Sequence, residues 1–152
     1  MKINKKVDIG IVILLFILGY TFVSNLFSLK SPLYQLGPYF LTGASGIVIV
    51  ILINFILAVL FFGLFKRKMW SRYATISWYT FIVIHKVFDL IIYLSNKSYW
   101  DNYYLNIIVA QTSEQLTPGL ILVGQLITFF NALIFGLVVI WYLKKKKNYF
   151  VN

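Results

Sequence analysis

The stretch FIVIHKVFDLII, residues 81–92, is apolar enough to lie in a membrane, yet it carries His85, Lys86 and Asp89 within five positions. Its reading decides the fold, because a soluble core and a membrane span handle such charges differently. Composition resolves the choice. Of 152 residues, 61% are hydrophobic, 19% aromatic and 12% charged, whereas soluble domains are about 45–50% apolar and about 25% charged. A soluble fold of this size could not hide so much apolar side chain, so the bilayer is the expected solvent.

Four apolar runs stand out, at about 7–29, 39–65, 70–94 and 118–143. Each is near or above the roughly 20 residues that carry a helix across the hydrocarbon layer. The runs lack period-two alternation, and in lipid every backbone polar group must be paired internally, so helices are expected rather than a barrel. The expected fold is an all-α, membrane-spanning four-helix bundle forming one domain over residues 1–152. The basic start of the first run also fits a signal peptide, but VSNLF offers no small-residue cleavage pattern, which favours a retained anchor.

The formal net charge is +10. Lys2, Lys5 and Lys6 precede the first run, Lys66, Arg67, Lys68 and Arg72 surround the second connection, and Lys144, Lys145, Lys146 and Lys147 follow the fourth run. Against these eleven stand Lys30 and Lys97 on the other side, with Lys86 inside a run. This asymmetry places both termini in the cytoplasm, the expected location being a prokaryotic plasma membrane. The basic residues cluster at span ends and show no nucleic-acid motif, so the expected partners are the bilayer and anionic lipids at the cytoplasmic face. Each of Lys144, Lys145, Lys146 and Lys147 contributes about 1 kcal/mol of attraction to those lipids. A membrane-protein partner or a second copy stays open. There is no cysteine and one histidine, which excludes disulfides and thiolate sites and argues against a protein-built zinc or haem site; no metal or cofactor is expected.

The connections are short. KRKM makes the second and third spans antiparallel neighbours. KSPLYQLGP is turn-like, punctuated by Pro32, Gly37 and Pro38. The segment 95–117 is longer, and Trp100, Tyr103, Tyr104, Ile107 and Ile108 share one helical face. A short interfacial helix is the preferred reading, with Asp101, Asn102 and Asn106 largely off that face; an irregular aromatic loop is the alternative.

In the third span Ser71, Thr75, Trp78, Ile82, His85 and Asp89 step by three or four and form one mostly polar stripe. Each Lys or Asp at a span centre costs about 2.5–3.5 kcal/mol to insert, so the stripe should face inward with Lys86 and Asp89 paired. Counting rise per residue brings His85, Lys86, Asp89, Gln125, Asn25 and Ser45 to the outer half of the bundle as a candidate ion or solute site, with Asn54 and Asn131 nearer the middle. The same pair could simply set the rotation of the third span. In the fourth span Gly124, Thr128, Ala132 and Gly136 recur every four residues, a ridge that lets helices approach closely, with internal packing favoured.

The hairpin GLFKRKMWSR, through Gly63, Leu64, Lys66, Arg67, Lys68, Trp70 and Arg72, resembles that of many small four-span prokaryotic membrane proteins. The resemblance implies a membrane protein and lends no catalytic residue. No nucleophile or paired carboxylate points to an enzyme. The leading expectation is a non-enzymatic accessory, immunity-type or assembly component acting through helix–helix contacts. The alternative is a small transporter or channel subunit with Asp89 as exchangeable carboxylate, Lys86 as counter-charge and His85 as proton relay.

Overall fold

The computed structural model describes residues 8–29, 33–36, 39–112 and 117–150. Helix α1 (Ile9–Ser28) is followed by strands β1 (Leu33–Leu36) and β2 (Tyr39–Thr42), helices α2 (Gly43–Phe65), α3 (Met69–Ser95), α4 (Lys97–Thr112) and α5 (Pro118–Lys145), and a closing 3-10 turn, Lys147–Tyr149. Helices α1, α2, α3 and α5 are long and apolar enough to cross a membrane, and they form the expected four-helix bundle of a membrane protein. The residues before Asp8, including Lys2, Lys5 and Lys6, and the turn residues Lys30, Pro32, Gly37 and Pro38 lie outside the described segments.

The helix ends fall within two residues of the sequence reading except at the start of the second helix. The second helix starts at Gly43 rather than Tyr39, because residues 39–42 pair antiparallel with 33–36 in the register Leu33↔Thr42 to Leu36↔Tyr39. Gly43 sits at φ +57°, a left-handed conformation that glycine enters without a steric penalty and that turns strand into helix. The last helix runs two residues into the tetralysine, where Lys144 and Lys145 meet the negative end of its dipole.

The hairpin between α2 and α3 is a helix stop. Lys68 N–H donates to the Gly63 carbonyl and Arg67 N–H to that of Leu64, both at 3.0 Å, the paired bonds that satisfy the last carbonyls of α2. The left-handed position is taken by Arg67 at φ 56°, whose guanidinium lies 4.5 Å from the centre of the Tyr149 ring. Gly63 lets the two helices close up: a Cβ there would come within 2.5 Å of Ser71 Cβ.

The bundle consists of two helix pairs, α3 with α5 and α1 with α2, and contact between α2 and α3 is slighter. At the basic end the pairs are tied together. Asp8 caps α1 by accepting from Gly10 N–H at 3.1 Å. Its carboxylate also accepts from the Tyr142 hydroxyl and pairs with Lys146 Nζ at 2.8 Å. Arg72, 6% exposed, donates from Nε to the Leu143 carbonyl at 2.7 Å and from Nη2 to that of Lys144 at 3.2 Å. The core of Ile11, Leu14, Leu18, Leu57, Leu60, Leu64, Tyr79, Val139 and Leu143 is closed at this end by Phe150. At the opposite, capped end, Tyr39 of β2 packs edge-on against Trp100 and Tyr103 of α4, with ring centres 5.5 and 6.2 Å apart.

Helix α3 approaches α5 closely at Gly136, where a Cβ would come 2.5 Å from Val83 Cγ2. Gly136→Leu is expected to destabilise the bundle by about 1–3 kcal/mol or more, read as a lowered unfolding midpoint in detergent micelles; Gly124→Leu, placed where a Cβ meets nothing within 4 Å, should leave the midpoint unchanged.

Burial would raise the Asp8 carboxyl, but the hydrogen bonds from Lys146 and Tyr142 and the Lys146 charge outweigh it and hold the group below its ordinary 3.8. The folded chain therefore binds this proton less readily than the unfolded chain. The contribution of Asp8 is complete above 3.8 and is lost as pH falls through the lower folded value. Asp8→Asn should flatten that part of a stability–pH curve; an unchanged acid limb would remove Asp8 as its source.

Candidate functional site

Helix α3 is the least apolar of the four spanning helices, and its stripe faces inward: Ser71 and Thr75 are fully buried and Asp89 is 3% exposed. Lys86 Nζ donates to Asp89 Oδ2 at 2.8 Å and His85 Nδ1 lies 3.2 Å from the same oxygen. The three groups are joined within one turn of one helix, as i,i+3 and i,i+4 neighbours. This local pairing offsets the insertion penalty of the charges without recruiting another helix.

A cavity of about 810 Å³ lies between the two helix pairs, with walls from α1, α2, α3 and α5. Its polar lining comes from three helices: Thr21 and Asn25 on α1, His85 and Lys86 on α3, and Asn131 on α5. Helix α2 contributes isoleucines and leucines only. Thr21 donates back to the Ile17 carbonyl at 2.9 Å, so its hydroxyl is held by its own helix. A mostly apolar cavity with a few convergent polar groups is the usual form of a small-molecule site.

The sequence-predicted residues divide. Asn25, His85 and Lys86 share the cavity, and Asp89 lies beside it, bonded to Lys86. Ser45 does not join them: it is exposed in the first turn of α2 and donates to the Thr42 carbonyl at 2.9 Å. Gln125 is half-buried on α5 outside the cavity wall, its carbonyl accepting from Thr128 Oγ1. Asn131 takes a place in the wall instead. Asn54 is buried at 6% exposure, and among the described residues neither its Nδ2 nor its Oδ1 has a hydrogen-bond partner; the same holds for Thr75 Oγ1. Groups left so cost about 1–3 kcal/mol each.

The ridge on α5 is used in part. Gly136 packs on α3 and Ala132 lines the cavity, whereas Gly124 and Thr128 are exposed. Of the four terminal lysines, Lys144, Lys145 and Lys147 are exposed, with Lys145 Nζ 4.8 Å from the Trp141 ring centre; Lys146 is engaged by Asp8. Among the described residues no group of three or more His, Cys, Asp or Glu could hold a metal ion.

The segment after α3 is helical, as preferred. Trp100 and Tyr104 are buried at 7% and 1% exposure and Tyr103 and Ile107 are half-buried, while the Ile108 side chain lies outside the described residues. Asp101, expected off the apolar face, is buried at 5% exposure. It accepts from the Tyr93 hydroxyl at 2.6 Å and from Lys97 Nζ at 2.5 Å. The i,i+4 spacing of Lys97 and Asp101 was the available signal; Tyr93 arrives only through the fold. No protein-family model, curated protein or solved structure matches the chain.

Proposed function

We propose that this is a non-enzymatic membrane protein that binds, and passes on, a ligand held by its hydrogen-bond-accepting or anionic group in the four-helix cavity. The observation that carries the reading is the convergence of His85 and Lys86 with Asn25 and Asn131 on one cavity. Lys86 and Asp89 pair within one helix, which leaves Lys86 on the cavity wall rather than spent on a bond to a neighbouring helix. Asp89 holds Lys86 and His85 in place, Lys86 supplies the charge facing the ligand, and His85 stands beside it on the cavity wall. The accessory reading through helix contacts has less support, because Gly136 is spent inside the protomer and only Gly124 and Thr128 remain open on that ridge.

Lys86→Met and Asp89→Asn are expected to destabilise the protein by about 3 kcal/mol each, since the first leaves a buried carboxylate and the second a partly buried ammonium without its partner, and the double variant should recover most of that. Proton flux in pyranine-loaded liposomes, and acetate or phosphate binding by calorimetry, should fall in the double variant despite its recovered stability. A stable double variant with unchanged flux and binding would sink the reading and leave the pair a structural one.

The basic end is assigned to the cytoplasmic side of a prokaryotic plasma membrane, supported by the sequence, in which eleven of the fourteen Lys and Arg precede the first span, surround the second connection or follow the fourth span, and by the resemblance of the GLFKRKMWSR hairpin. The chain has no native cysteine, so single cysteines report cleanly. On intact cells an impermeant maleimide should label Asn102→Cys and spare Asn148→Cys; the reverse pattern would invert the topology.

A further inference from the structure

We infer that the ligand of the cavity is a single-chain anionic amphiphile that enters from the bilayer through the seam between α2 and α3. The inference rests on the reading of the cavity as a ligand site, and it adds the chemistry of the ligand and its route.

The first support is the sign of the charge on offer. His85 and Lys86 form part of the cavity wall, with side chains 23% and 22% exposed, whereas Asp89 is buried and does not. The face met by a ligand is therefore cationic and amide-bearing, suited to a carboxylate or phosphate head and unsuited to a cation. The second support is the rest of the wall. Helix α2 supplies only aliphatic side chains, against which a small hydrated anion would lose its water without replacement, whereas an alkyl chain would gain contact.

The third support is a continuous apolar track. The cavity shares Ile56, Trp78 and Phe81 with a groove of about 560 Å³ on the α2–α3 surface. That groove shares Phe55 and Val59 with another of about 510 Å³, which ends at Lys66, Lys68 and Trp70. Phe55 and Phe81 are 67% and 55% exposed, so the edge of the track faces what surrounds the bundle, which for a spanning helix is lipid. At the two ends of the bundle the helix pairs are joined, by Asp8 with Tyr142 and Lys146 at one and by Tyr39 with Trp100 at the other. The α2–α3 contact is slighter than the contact within either helix pair, and a side entrance along its apolar edge suits a molecule already dissolved in the bilayer.

The test places the full chain in phosphatidylcholine nanodiscs with palmitic acid bearing a diazirine in its chain, crosslinks with light and maps the adducts by mass spectrometry. Adducts should concentrate on Phe55, Val59, Trp78 and Phe81. Unlabelled palmitate or hexadecyl phosphate should suppress them at least tenfold, their relative potency separating a carboxylate from a phosphate source. Hexadecanol, the chain without the charge, and acetate, the charge without the chain, should each compete at least tenfold more weakly. Ala132→Phe fills the cavity from α5 without removing a charge, and it should lower labelling as much as the Lys86→Met/Asp89→Asn double variant, so a poorly folding double variant does not rescue the idea. Adducts spread evenly over all four spanning helices, or hexadecanol competing as well as palmitate, would overturn the inference. Acetate competing as well as palmitate would overturn it and leave the cavity reading standing. Labelling indifferent to both Ala132→Phe and the charge variant would overturn both.

Discussion

The structure depends first on how the C-terminal end of α5 is held. The last carbonyls of a helix have no partner within it, and here two of them accept from a buried Arg72 on α3. Its guanidinium meets the negative end of the α5 dipole. This contact fixes α3 against α5 at the basic end, Gly136 against Val83 carries the contact along the pair, and Asp8 brings α1 to the same end of α5 through Tyr142 and Lys146. Phe150 then closes the core beneath them. With the two helix pairs tied at one end by charge and at the other by Tyr39 against α4, the space between them farther along is the cavity.

The ionisable groups of α3 follow from the same economy of polar groups in an apolar surrounding. Lys86 and Asp89 find each other within one turn, so neither has to reach another helix to be tolerated. Lys86 and His85 can then face the cavity while Asp89 stays buried. The cationic character of the wall comes from this division of a matched pair. At the capped end Asp101 repeats the pattern: it is paired by Lys97 on its own helix and also receives the Tyr93 hydroxyl across the α3–α4 corner, which ties the cap to the bundle.

How much of this was legible in the residues depends on the range over which each cause acts. Span length, apolar content and the charge asymmetry are properties of short windows, so four helices and their ends are readable to within a few residues. The inward stripe of α3 is readable for the same reason, being set by helical period and by the penalty on charge in an apolar phase. The start of α2 was misplaced because Tyr39–Thr42 is apolar enough to extend a helix, and only pairing with Leu33–Leu36 made it a strand. Ser45 and Gln125 count along the sequence to the same half of the bundle as the cavity group, yet such a count says nothing of a helix's rotation about its axis or of how far neighbouring helices splay.

What the sequence by itself determined is therefore the membrane-spanning helical class, the crowding of basic residues toward one end and the local pairing of Lys86 with Asp89, because each follows from interactions within one helix or between a helix and its solvent. The tertiary structure alone decided that Asn131 and not Ser45 joins His85 and Lys86, that Arg72 and Asp101 are buried rather than solvated, and that a track opens between α2 and α3. Those outcomes depend on the relative placement of helices, which is set by contacts between residues far apart in the chain, and no local window contains both partners.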